Sequence, residues 1–150
     1  MSTDVLRKNY LLSGLTEDEF QEILGYITRE KFKKNATIFV ENMQGESMFF
    51  ITSGRVKITR MVAEGEEKVL VELAEGGSFG ELALVNDGAR EVTARVVEDA
   101  NIYKLSRESF EKLFHEHPPI AGSFLLVLLQ RILSDIREIV PTISKILAKG

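Results

Sequence analysis

With 150 residues and 44% apolar content, the chain is long enough for one domain with its own core and too apolar to stay disordered. A net charge of −4 argues against a phosphate backbone as the main partner, so no nucleic acid is expected. Without cysteine there are no disulfides, no thiolate metal sites and no cysteine nucleophiles.

The start, MSTDVLRKNY, carries charge early and no apolar run, so it does not read as a signal peptide, and cytoplasm is the expected compartment. Thr16 and Glu19 have the spacing of a capping box, and Phe20, Ile23, Leu24 and Ile27 mark one helical face behind them. Residues 1–31 are therefore expected as N-terminal helices. From Phe32 the period changes. Ile38-Phe39-Val40, Met48 to Ile51, Val56/Ile58, Val69/Val71/Leu73, Val92/Ala94/Val96 and Ile102/Leu105 are short pieces rich in branched and aromatic residues. Turn chemistry separates them, including Gln44-Gly45-Glu46, Ser53-Gly54, Glu64-Gly65-Glu66, Glu75-Gly76-Gly77 and Asn86-Asp87-Gly88. Such spacing predicts a mainly β unit, an antiparallel sandwich or barrel, over 32–105.

Helix returns after Ser106, an N-cap residue, with Phe110, Leu113 and Phe114 on one side. Pro118-Pro119 ends it and opens a last long helix, expected over 120–139. That helix is apolar on more than one side, which predicts two surfaces to bury: its own sheet and a second subunit, hence a homodimer. The run Phe124 to Leu129 is broken by Gln130 and Arg131, short of the ~20 residues of a span, so no membrane is expected. Pro141 is expected to end the helix, leaving 140–150 as a tail too short for a helix-turn-helix.

The stretch FGELALVNDGAR, Phe79 to Arg90, asks for chemistry that packing does not supply. A helix opening at Glu81 behind Gly80 would present unpaired amides, an anion site. Arg90 returns after the Asp87-Gly88 turn with a guanidinium suited to phosphate oxygens. Glu81 would repel that phosphate on contact but would accept from a hydroxyl a few ångström away. A phosphate beside a hydroxyl describes a ribose phosphate. The competing reading of the same residues is a Glu81–Arg90 ion pair at a helix start.

Helices, short strands, FGELAL, an arginine at fixed separation, then helices: this order resembles the cyclic nucleotide-binding domain family over Leu15 to Ile139, with Glu46 to Val56 similar to its segment of two strands and a glycine turn. The resemblance implies a double-stranded β-helix (jelly-roll) barrel with N-terminal helices and a long C-terminal helix, as one domain over 1–150. Its phosphate-binding cassette would fall at 79–93. Glu81 would hold the ribose 2′-hydroxyl beside the Gly80 and Leu82 backbone. Arg90 would pair with the cyclic phosphate, the Ala83 and Glu91 amides would complete its cradle, and Val92 and Thr93 would close the cassette. More weakly, Val71, Leu73 and Phe79 would line base and sugar, and Arg131, Ser134 and Asp135 would sit on a lid helix. The implied function is a stand-alone sensor of a cyclic nucleotide, cAMP before cGMP, acting on a protein effector, with no catalysis, metal or cofactor. Two departures stand out. Ala89 replaces a common proline, and Glu91 sets a carboxylate where two like charges at ~4 Å repel by about 1–4 kcal/mol. They leave open a degenerate member that serves as an interaction module. A cupin-like metal enzyme shares the strand pattern but would need several histidines, and His115 and His117 do not share a helical face.

Overall fold

The computed structural model describes residues 3–149. Two short helices, α1 (Thr3–Leu6) and α2 (Glu17–Leu24), precede β1 (Thr28–Phe32), β2 (Thr37–Phe39), β3 (Ser47–Ala63), β4 (Glu66–Leu73) and β5 (Ser78–Phe79). A single 3₁₀ turn at Glu81–Leu84 leads to β6 (Thr93–Ser106), α3 (Arg107–Glu116) and α4 (Pro118–Lys149). The mainly β class with flanking helices holds. The pairing is all antiparallel and open, in the order β1-β6-β3-β4, with β2 on β6 and β5 on β3; it does not close into a barrel.

Local chemistry sets the element starts. The Thr16 hydroxyl accepts from the Glu19 amide at 3.2 Å and the Glu19 carboxylate accepts from the Thr16 amide at 3.0 Å, the reciprocal cap that the spacing predicts. Ser106 caps α3 by accepting from the Ser109 amide at 3.0 Å.

The alternation of strand side chains divides the core in two. Met48 and Phe50 point to the layer formed with α2, α3 and α4, against Phe20, Phe110 and Phe124. Phe49 and Ile51, one step out of phase, point to the other face. There Phe49 stacks on Phe79 at 5.2 Å, with Phe39 at 5.9 Å from Phe79. This second cluster is the floor on which the cassette rests.

Four expectations are corrected. β1 begins inside 1–31: Thr28–Phe32 is a mostly polar strand that pairs with β6 and gives no apolar alternation to read. Ser53-Gly54 is not a turn between strands but a bend inside β3, where the register with β6 shifts repeatedly. Likewise 93–106 is one strand rather than two pieces. Pro141 does not end the last helix, which runs on to Lys149. Every described residue from Leu133 onward is exposed, so the carbonyl that Pro141 leaves without its amide partner faces water and not a core. By length and composition alone, α4 is also apolar enough to cross a membrane. Arg131, Asp135, Arg137 and Glu138 stand in its middle, where a bilayer would resist them.

Gly54 has φ +90°, and a β-carbon there would lie 2.4 Å from the Asp99 carbonyl oxygen and 2.6 Å from the Ala100 α-carbon. Both obstacles are backbone, so Gly54→Ala combines left-handed strain with overpacking and is expected to cost about 3 kcal/mol in urea unfolding. Gly65, with φ +73° but open space around it, separates the two effects. Gly65→Ala is expected to cost only about 1 kcal/mol. Equal losses would place the bend's strain in its dihedral alone.

Candidate functional site

Arg90 is the centre of the arrangement. Its guanidinium is half-buried, donating from Nη2 to the Ser47 carbonyl at 2.5 Å and from Nη1 to the Gly80 carbonyl at 3.4 Å. It lies over the Phe39 ring at 4.0 Å. Its Nε is buried without a partner, and among the described residues no carboxylate forms an ion pair with it. Burial, then the neighbouring Arg107 guanidinium, lower its pKa below the ordinary arginine value, while Glu81 pulls the other way. The guanidinium is thus a cation held by two carbonyls and a ring, with one N–H unanswered.

The competing ion pair is not formed. The Glu81 carboxylate accepts from the Ser78 hydroxyl at 3.1 Å instead. Gly80 explains why the chain can pass so close to Arg90. It has φ +80°, and a β-carbon there would come within 2.9 Å of Arg90 Nη1 and 3.1 Å of the Ser47 oxygen.

A hollow of about 220 Å³ opens beside Arg90, and Gly80, Glu81, Leu82, Ala83, Arg90, Glu91 and Val92 all line it. Glu91 is exposed, so its carboxylate has water to turn into. The expected helix of free amides is only one 3₁₀ turn, and the Ala83 amide already donates to the Gly80 carbonyl at 3.2 Å. Thr93 is buried outside the hollow, its hydroxyl accepting from the Glu41 amide at 3.1 Å. Phe79 is buried in the aromatic stack beneath it.

A second hollow of about 550 Å³ lies between the cassette, the N-terminal segment and α4. Leu73, Glu81, Leu82, Arg131 and Asp135 line it, whereas Ser134 does not. Val71 lines neither hollow and is 46% exposed, because β4 is an edge strand with open faces. Tyr10 is in the same hollow. Burial and then Glu81 push its phenol up to about 12, with Arg131 opposing and Asp135 adding to the rise, so it stays neutral.

Sequence reasoning missed several partners. Phe39 was read only as strand and Gly45 only as turn, yet a β-carbon on Gly45 would lie 3.3 Å from Arg90 Cδ and Nε. Arg107 ties the cassette to α3. Its Nε donates to the Ala83 carbonyl at 2.8 Å, and its Nη2 to the Gly45 carbonyl at 2.8 Å and the Asn86 carbonyl at 3.1 Å. Its Nη1 meets Asp87 at 3.2 Å. A signal existed: a basic residue in the first turn of a helix opposes the dipole and asks for another employment. Of the two histidines, His115 is exposed and His117 is engaged by Glu22 at 3.3 Å.

Comparison with known proteins bears on the family and the fold. The family model described as "Cyclic nucleotide-binding domain" matches residues 29–117. The chain is 30% identical over 122 residues to the cyclic AMP receptor protein of Thermus thermophilus, a match covering 81% of this chain and 56% of that one. The chain thus spans about half the length of the curated relatives it matches. Among solved structures, the N-terminal domain of a transcriptional regulator from Streptomyces coelicolor superposes with a TM-score of 0.82 at 24% identity, covering 91% of this chain and 95% of that one. The catabolite activator protein of Thermus thermophilus gives 0.80 at 29% identity, covering 91% and 63%.

Proposed function

The chain belongs to the cyclic nucleotide-binding domain family, and from that premise we propose that it is a sensor of cyclic nucleotide, with cAMP as its preferred ligand. Arg90 receives the cyclic phosphate and Glu81 accepts from the ribose 2′-hydroxyl, within a lining that includes Gly80, Leu82, Ala83, Glu91 and Val92. One observation carries this reading. Arg90 is a partly buried cation with an unpartnered Nε and no carboxylate to neutralise it, the condition in which a bound phosphate gains most. The exposure of Glu91 removes the main objection, since its carboxylate is free to leave the phosphate to the guanidinium. The preference for cAMP over cGMP leans on the name of the Thermus relative.

Sensing requires two states of unequal affinity. Arg107 supplies the link through which a ligand-induced change at Ala83 and Asn86 reaches α3 and then α4. The receiving partner is a second copy of this chain. Leu126, Leu129, Leu133, Ile136, Val140, Ile143 and Leu147 are all exposed, and they recur alternately three and four residues apart, the spacing of a coiled-coil seam. Pro141 sits beside that line and not in it. A protein effector would read the altered pair.

Isothermal titration with cAMP, cGMP and linear AMP tests the reading. Micromolar binding of cAMP is expected, weaker binding of cGMP, and at least about tenfold weaker binding of AMP, whose phosphate is not ring-closed. Binding of neither cyclic nucleotide below a millimolar would leave the interaction-module reading in its place, with the α4 seam as its working surface.

A further inference from the structure

We infer that Tyr10, on the N-terminal segment, is the residue on which the base of the bound nucleotide stacks; this rests on the assignment of Arg90 and Glu81 above. The hollow at Arg90, about 220 Å³, is smaller than the roughly 300 Å³ at which small-molecule sites begin. It takes a phosphate and the edge of a sugar, not a whole nucleotide. Glu81 and Leu82 also line the larger hollow of about 550 Å³, so the residue assigned to the sugar borders both spaces. A nucleotide with phosphate on Arg90 and ribose on Glu81 must turn its base into that larger space. Among the described residues lining it, Tyr10 carries the only aromatic ring.

The ring is held there by its neighbours. Asn9 is buried, donating from Nδ2 to the Gly76 carbonyl at 3.2 Å and accepting at Oδ1 from the Leu11 amide at 3.0 Å. Leu11 and Leu12 are buried in the helical core. The N-terminal segment is therefore fastened to the loop that leads into the cassette, and Tyr10 projects from the fastening point. Its face is taken by a flat cation, the Arg131 guanidinium, at 4.5 Å. An exposed cation–π contact is weaker than the stacking of a nucleobase on an aromatic ring, so a base displaces the guanidinium. Arg131 keeps a partner when it moves, since Asp135 already lies 3.8 Å away. Larger purines gain more from this exchange than pyrimidines do.

The test compares cAMP with a base-free ligand, the 3,5-cyclic phosphate of 1-deoxyribofuranose, by calorimetry on the full chain and on Tyr10→Leu and Tyr10→Phe. Tyr10→Leu is expected to weaken cAMP about tenfold and to leave the base-free ligand within twofold, while Tyr10→Phe retains cAMP affinity within about twofold. Thermal melting of each variant without ligand shows whether the fold is kept. Equal losses for both ligands in Tyr10→Leu, or none for either, would overturn the stacking role while the Arg90 assignment stood. An unaltered chain that binds neither ligand would overturn the sensor reading and this inference with it.

Discussion

Arg90→Ala is expected to weaken cAMP binding by at least about a hundredfold while the ligand-free protein unfolds within about 1 kcal/mol of the parent. The two halves of this expectation have separate causes. Truncating one member of a buried, hydrogen-bonded charge pair costs about 2–5 kcal/mol of affinity, and each 1.4 kcal/mol is about tenfold. Without ligand the balance differs. The substitution loses the donations to the Ser47 and Gly80 carbonyls and the contact with Phe39. It also removes a partly desolvated cation with an unanswered Nε, and the hollow admits water to the two carbonyls left behind. The losses and the relief offset one another. Melting with and without cAMP reads both at once. At a hundred times its dissociation constant for the parent, the ligand adds about 2.7 kcal/mol to the parent and at most about 0.4 kcal/mol to the variant. Arg90→Lys keeps the charge but not the planar fork and is expected to fall between them. Undiminished binding in Arg90→Ala would remove the cassette from the ligand site.

How much of this was legible beforehand depended on how local the cause was. The capping box at Thr16 and the strand character of Met48 to Ile51 are settled by neighbours in sequence, and both appeared as read. That Gly80, Glu81 and Arg90 meet at one hollow was legible because a glycine, a carboxylate and an arginine in one short stretch need a common reason. β1 was hidden because TREKF, lying at the sheet's rim, keeps polar side chains on both faces. Gly54 looked like a turn because a turn and a bulge call for the same residue; only the partner strand at Asp99 and Ala100 distinguishes them. Pro141 stops a helix in a core, where its orphaned carbonyl has no water. On a projecting helix it does not. Phe39, Gly45 and Tyr10 were missed because each meets the site through chain folded back from 40 or more residues away, a distance over which periodicity says nothing. Val71 differs in the opposite sense: the resemblance implies a place at base and sugar, and on the edge strand β4 it is exposed and lines neither hollow.

The seam of α4 yields the other large effect. Leu133→Glu combined with Val140→Glu is expected to convert a dimer into a monomer, weakening association at least about a thousandfold in sedimentation equilibrium. Each of the seven seam residues is about half exposed or more in the single chain. Burying what remains is worth about 1 kcal/mol per side chain, or about 14 kcal/mol for a pair of helices, against the roughly 4–15 kcal/mol that association costs. The surplus is modest, so removing four of the contributing side chains and facing carboxylates across the seam exhausts it. Neither substituted residue lines a hollow, so cAMP binding should persist in the monomer. Ser134→Glu, one step off the line, is the control and should leave the dimer intact. A parent chain that sediments as a monomer at 100 µM, with and without cAMP, would mean that α4 waits for a different partner and that the signal leaves the cassette by another surface.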